Sequence, residues 1–170
     1  MKDTDRPDDM KRYVHESATE MVQLVLPNDT NVYGNVLGGR VMHWIDLAGA
    51  IAANRHCRKP VVTASMDALD FHSPIRLGQT AILKAVVNYA GRTSMEVGVE
   101  VFSEDPLTGK KIHTSSAYIT YVALDNEGRP AKVPDLLLSN EDERLRYEDA
   151  KERKRLRLER LSKSDIIEGG

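Results

Sequence analysis

Four segments in the second half of the chain carry the pattern of β-strands. Residues 61–71, 80–89, 93–103 and 111–124 are rich in Val, Ile, Thr and Tyr, side chains that suit a pleated, half-buried surface. In the third, Met95, Val97, Val99 and Val101 alternate with Glu96, Gly98, Glu100 and Phe102, a period of two that predicts one buried face and one mixed face. The joins are turn chemistry: Ser73-Pro74 with Leu77-Gly78, then Ala90-Gly91-Arg92, then Asp105-Pro106-Leu107-Thr108-Gly109. Asp125-Asn126-Glu127-Gly128 follows the last segment. Short turns between successive strands mean antiparallel pairing. An earlier strand is predicted over 20–26 and is broken by Pro27-Asn28-Asp29-Thr30-Asn31.

Between the early strand and the later four, the period changes. A glycine pair, Gly38-Gly39, opens an apolar helix that runs to about Arg55. At about 100° per residue, Val41, Trp44, Ile45, Ala48, Ile51 and Ala52 fall on one side of it. That stripe has to be buried, and so does one face of the sheet. The economical α+β solution is a curved antiparallel sheet wrapped around one long helix. Residues 1–16 are polar and predict a flexible N-terminus, 17–135 the folded domain, and 136–170 a charged, partly helical extension. In the extension Asn140 followed by Glu143 has the spacing of a capping box, and acids precede bases as the helix dipole favours. Leu145, Leu156 and Leu158 are too sparse for a continuous stripe, so this helix reads as solvated, docking at most by a few leucines.

One residue of the central helix does not fit its surroundings. Asp46 lies in an apolar stretch with no basic partner on the helix. Burying an unpaired charge costs several kcal/mol, so such an acid invites a functional reading. The helical wheel places it off the core stripe, beside Met42, Gly49, Ala50 and Ala53, on a small-residue flank of the kind a subunit interface covers. Gly38 and Gly39 bring the first free N–H groups of the helix into an unobstructed position, where they can serve an oxyanion. Asn35 can donate to the same oxygen or hold a water, although Asn35 and the glycines are equally compatible with a simple turn. Gly91-Arg92-Thr93-Ser94 is a turn bearing a base and two hydroxyls, suited to a phosphate.

Composition narrows the function classes. Lys+Arg 24 against Asp+Glu 26 gives a net charge of -2, which supplies no electrostatic case for nucleic acid or an anionic membrane. The single cysteine, Cys57, cannot form an internal disulfide and fits a reducing compartment. The charged N-terminus lacks the apolar core of a secretory signal, and no apolar run approaches the ~20 residues of a membrane span, so a cytoplasmic protein is expected. The five histidines show no metal-ligand spacing, and there is no P-loop and no nucleophile elbow.

The chain resembles the hotdog-fold acyl-CoA thioesterases, in particular the acyl-CoA hydrolases akin to brain acyl-CoA hydrolase and its bacterial relatives. The resemblance runs from about Glu20 to Pro134. It rests on Gly34-Asn35-Val36-Leu37-Gly38-Gly39, Trp44-Ile45-Asp46-Leu47-Ala48-Gly49-Ala50, Val62-Thr63-Ala64-Ser65-Met66-Asp67 and Arg92-Thr93-Ser94-Met95-Glu96-Val97. It implies hydrolysis of fatty acyl-CoA to free acid and CoA. Asp46 would act as general base or nucleophile, with Asn35 supplied by the partner subunit and Gly38 and Gly39 at the oxyanion. Arg92, Thr93 and Ser94 would bind the CoA. It further implies a homodimer with shared sites, commonly assembled as a trimer of dimers, with coenzyme A present as part of the substrate and no other cofactor required. A non-catalytic CoA-binding module is the alternative, and a hotdog dehydratase or hydratase the third.

Overall fold

The computed structural model describes residues 10–168. Strand β1 (Lys11–Tyr13) leads into a one-turn helix α1 (Val14–Ser17) and strand β2 (Thr19–Leu24). The long helix α2 (Gly38–Cys57) follows, then β3 (Val61–Phe71), β4 (Thr80–Ala90), β5 (Ser94–Glu104) and β6 (Lys111–Ala123). A short β7 (Asp135–Leu137) and the terminal helix α3 (Glu141–Glu168) complete the chain. The main sheet has the order β2-β4-β5-β6-β3 and is antiparallel throughout. It wraps α2, so the expected architecture holds.

The core lies between α2 and the inner face of this sheet. Val41, Trp44, Ile45, Ala48 and Ala52 from the helix meet Met95, Val97, Val99 and Val101 from β5 and Ala117, Ile119 and Tyr121 from β6. Ile51, assigned to the stripe by the helical wheel, is instead 41% exposed. Ala53, placed on the small flank, is fully buried. The buried sector is therefore rotated toward Gly49 and Ala53, because the sheet curls further around that side.

Strand β3 forms one edge of the sheet and is irregular. Its register against β6 slips between Thr63 and Ser65 and again between Asp67 and Leu69, and Ala68 takes a positive φ of 49°. Each bulge adds one residue and exchanges the strand's two faces. Val61, Met66 and Leu69 can thus all pack on the core although their spacing is not even.

Two contacts bear on the division at the chain ends. Residues 1–9 of the segment taken as flexible lie outside the described residues, but Lys11–Tyr13 pair in parallel with Asp135–Leu137. Val14 and Ser17 are buried, and the Ser17 hydroxyl accepts from the Val87 N–H at 3.0 Å. Arg55 near the end of α2 donates to the Ala18 carbonyl and, at 3.1 Å, to Thr19 Oγ1. A boundary at 135 also cuts through β7, which belongs with the N-terminal strand.

The terminal helix is the larger surprise. Asn140 Oδ1 accepts from the Glu143 N–H at 2.9 Å, as the cap pattern anticipated, while Glu143 itself reaches back to the Ser139 N–H at 2.6 Å. The helix docks by Ala150, Tyr147 and its arginines, and Leu145, Leu156 and Leu158 are all more than half exposed. It crosses the outer face of the sheet strand by strand. Tyr147 packs its ring, tilted by 47°, against Tyr89 on β4, and Arg153 forms a bidentate pair with Glu96 on β5 while lying 3.6 Å from the Tyr118 ring centroid on β6. Arg157 then pairs with Asp67 on β3 at 2.5 Å. Glu96, on the face expected to be mixed, is only 4% exposed because Arg153 covers it.

Candidate active site

Asp46 sits at mid-helix, half-buried at the border between the core side of α2 and its open side. Two side chains from neighbouring strands converge on its carboxylate. Thr63 Oγ1, on edge strand β3, donates to Asp46 Oδ1 at 2.7 Å. Tyr121 Oη, on β6, lies 3.1 Å from the same oxygen and 2.8 Å from the Asp46 backbone carbonyl. Thr63 and Tyr121 are register partners across the two strands, so one rung of the sheet supplies both hydroxyls.

Local sequence explains how they reach it. The slip between Thr63 and Ser65 places an irregularity next to Thr63, the kind of feature that re-aims a side chain. Gly49, one turn beyond Asp46, leaves room for Tyr121: a Cβ there would stand 2.4 Å from the tyrosine oxygen. Tyr121 thus covers the small flank at Gly49, while Met42 on the same flank stays 44% exposed. Burial pushes the Tyr121 hydroxyl well above its ordinary value of 10.0, and the adjacent Asp46 carboxylate pushes it in the same direction. Tyr121 therefore remains a proton donor to Asp46. Neither Thr63 nor Tyr121 stands out as a site residue in the sequence; the one available signal is Gly49, since an interior helical glycine costs about 1 kcal/mol and marks a close approach.

The start of α2 is uncapped: Leu37 makes no side-chain cap bond. Gly38 and Gly39 occupy the first turn, and a Cβ added at Gly39 would meet nothing within 4 Å, while one at Gly38 would touch only the Phe71 ring, at 3.7 Å. A cavity of about 280 Å³ opens beside this end, lined by Val36, Gly38, Val41, Phe71 and Ile75 among others. A larger cavity of about 430 Å³ lies on the outer face of the sheet near Asn88, Gly98 and Arg146 and contains none of the anticipated site residues. Only the smaller of the two includes a candidate site residue, Gly38.

Asn35 lies in the loop before the helix, held by its backbone. Its N–H donates to Asn31 Oδ1 at 3.2 Å, and its carbonyl accepts from the Asn31 N–H at 2.8 Å. No hydrogen bond joins Asn35 to Asp46 within the chain. Arg92, Thr93 and Ser94 form the β4–β5 turn, closed by the Gly91 N–H donating to the Ser94 carbonyl at 2.8 Å. Ser94 pairs with Val122, the rung next to Met95–Tyr121, so the turn and the Asp46 cluster share one end of the sheet.

A curved antiparallel sheet around a helix, with a carboxylate on that helix and free amides at its start, defines a hotdog-type site. The family model of the thioesterase superfamily matches residues 33–110. YkhA of Bacillus subtilis, an acyl-CoA thioester hydrolase by name, is 36% identical over 156 residues, 92% of this chain and 91% of its own. The crystal structure of an apo-hexameric acyl-CoA thioesterase superposes with a TM-score of 0.86 at 41% identity, covering 89% of this chain and 97% of that one. An acyl-CoA hydrolase of Staphylococcus aureus, solved with butyryl coenzyme A, coenzyme A and coenzyme A disulfide, gives 0.84 at 36% identity, covering 93% and 97%. Variants of that enzyme with a single Asp, Thr or Asn changed to Ala have also been solved. The chain therefore belongs to the thioesterase superfamily, among its acyl-CoA thioester hydrolases.

Proposed function

We propose that the chain hydrolyses acyl-CoA to the free acid and CoA, with Asp46 as general base. The observation that carries this reading is the carboxylate on a half-exposed helix face, oriented by Thr63 and Tyr121, in a chain related to acyl-CoA hydrolases. The two hydroxyls fix the carboxylate's direction and leave its second oxygen for a water. Seven residues of helix separate Gly39 from Asp46, about 10 Å along the axis. That gap accommodates a thioester carbonyl and one water in line, which favours water activation over direct attack when both groups belong to one helix. Asp46 takes a proton from the water as its oxygen adds to the carbonyl carbon. The Gly38 and Gly39 amides stabilise the oxyanion, and its collapse breaks the C–S bond and expels CoA as the thiolate.

The asparagine that positions the water or carbonyl lies in the loop before the helix. In the Staphylococcus enzyme the altered Asp and Thr stand seventeen positions apart, as Asp46 and Thr63 do here. The Asn altered there precedes its Asp by fifteen positions, the separation of Asn31 from Asp46, whereas Asn35 precedes Asp46 by eleven. This spacing favours Asn31 over Asn35 for the role, with Asn35 holding Asn31's side chain through its N–H.

A homodimer with shared sites is supported by β3, an eleven-residue edge strand, and by the exposed apolar side chains around it. Leu47 and Ile51 on α2, Val62 and Phe71 on β3, and Val32 and Tyr33 beside Asn31 all face outward. A long exposed edge of this kind is a template for pairing with another copy. Three such dimers would make the hexamer for which the neighbouring thioesterase is named. Arg92, Thr93 and Ser94 would hold the phosphates of CoA. The buried lone cysteine fits a cytoplasmic setting. The test is thiol release from acyl-CoAs of graded chain length by mixed oligomers of Asp46→Ala and Asn31→Ala chains. Partial recovery of turnover is expected; verified mixed dimers without recovery would rule out a shared site, and a wild-type protein that binds acyl-CoA without releasing thiol would rule out the enzyme.

A further inference from the structure

The β4–β5 turn is built by more than the residues of its own loop. Lys154, from the middle of α3, extends its ammonium to Gly91: a Cβ at that glycine would stand 2.9 Å from Lys154 Nζ. The same ammonium lies 5.0 Å from the Tyr89 ring centroid, and Tyr89 is backed by Tyr147 of α3 with ring centroids 5.0 Å apart. Lys132 follows the chain to the same place, since the Val133 N–H donates to the Arg92 carbonyl at 3.0 Å. The Lys154 ammonium, the backbone of Arg92 and the segment carrying Lys132 thus share one turn.

Several cations of α3 are paired. Arg153, Arg155 and Arg157 each hold a carboxylate. Among the described residues neither Lys154 nor Arg92 has an ion-pair partner. The residues three and four positions from Lys154 on the helix are Ala150, Lys151, Arg157 and Leu158, none of them acidic. An ammonium without a carboxylate partner, held at a turn that carries Arg92 and two hydroxyls, suits an incoming polyanion.

We infer that Lys154 of α3 is a binding residue for the nucleotide phosphates of the substrate, completing with Arg92 an anion site at the β4–β5 turn. This deepens the acyl-CoA reading and rests on it. It gives the terminal helix a role in substrate binding: the Arg153–Glu96 pair one residue earlier fixes the helix on the sheet, and that docking delivers the lysine to the turn. Gly91 then has a reason in the site, because any side chain there would displace the ammonium.

The experiment compares wild type, Lys154→Met, Lys154→Arg and Arg92→Gln on butyryl-CoA and on butyryl-pantetheine, which lacks the nucleotide. Binding of adenosine 3′,5′-bisphosphate is measured by calorimetry in parallel. Methionine preserves the packing on Tyr89 and removes only the charge. Lys154→Met is expected to raise KM for butyryl-CoA about tenfold, the usual effect of losing one charged hydrogen bond. Its kcat and its KM for butyryl-pantetheine should stay near wild type, and adenosine 3′,5′-bisphosphate should bind about tenfold more weakly. Lys154→Arg should keep most of the affinity; should the methionine variant fail to fold, Lys154→Gln takes its place with the same expected split between the two substrates, and no effect, or an equal effect on both, would overturn the inference. Equal effects on the two substrates would make Lys154 a merely structural residue. If Arg92→Gln weakens butyryl-CoA and Lys154→Met does not, the turn reading stands and the role of α3 falls alone; if wild type releases no thiol, the acyl-CoA reading falls with it.

Discussion

The Tyr121 hydroxyl touches Asp46 at two points, 2.8 Å from its backbone carbonyl and 3.1 Å from its carboxylate. One buried phenol thus ties the helix backbone and the side chain that helix presents. Burial and the adjacent carboxylate both push the Tyr121 hydroxyl upward, which keeps it a donor to Asp46. Tyr121→Phe should lower kcat by roughly ten- to a hundredfold, the effect of removing a hydrogen bond to a charged group. Thr63→Val should do the same, and the double variant should fall short of the product of the two because both act on one oxygen. Steady-state kinetics on butyryl-CoA measure this; losses that multiply in full would show that the two hydroxyls do not act through one carboxylate oxygen.

Gly49 is the helix position that admits Tyr121. Gly49→Ala would drive a methyl to 2.4 Å from a tyrosine oxygen that is itself fully buried. The expected cost is about 1–3 kcal/mol, against the slight gain alanine usually brings to a helix. Thermal unfolding should show a lower Tm, with kcat reduced as Tyr121 shifts. A raised Tm would mean that Tyr121 is free to move away.

The terminal helix is held by a buried pair. Glu96→Ala leaves Arg153 facing the sheet without its carboxylate, a change that typically costs about 3 kcal/mol or more. Limited proteolysis should then cleave within 141–168 first, while α2 and the main sheet stay protected. Simultaneous loss of all elements would show that α3 is integral to the fold rather than clasped onto it.

Stability should also depend on pH through His56. This ring is buried, which lowers its pKa from the ordinary 6.5, opposed in part by its hydrogen bond to the Pro134 carbonyl. The unfolded chain therefore takes up the proton first as pH falls. Stability is full above about 6.5, declines below it, and levels off once the folded ring also titrates. Tm measured between pH 8 and 5 should fall more in wild type than in His56→Gln. An equal fall would place the acid sensitivity elsewhere.

The long elements were legible because each obeys a simple period: β3 to β6 begin and end within a residue of the sequence reading, and α2 runs two residues past the expected Arg55 to Cys57. The candidate carboxylate was legible because Asp46 breaks the helix pattern. Thr63 was not, since the slip beside it interrupts the alternation that would assign its face, and bulges leave no compositional mark. Tyr121 was hidden because a tyrosine in a buried strand looks like core until its hydroxyl is seen to end at Asp46. The docking of α3 was missed for a related reason. Its attachment runs through Arg153 and Arg157, residues that sequence patterning assigns to solvent, and their partners Glu96 and Asp67 lie far away in the chain.

The most direct measurement is the turnover of butyryl-CoA by Asp46→Asn, a change that keeps the shape and hydrogen bonding of the side chain but removes the base. With the variant's fold and oligomeric state confirmed against wild type, kcat should drop by about a hundredfold or more, while butyryl-CoA still binds. A variant that retains near-wild-type kcat would contradict the assignment of Asp46 as the group that activates water.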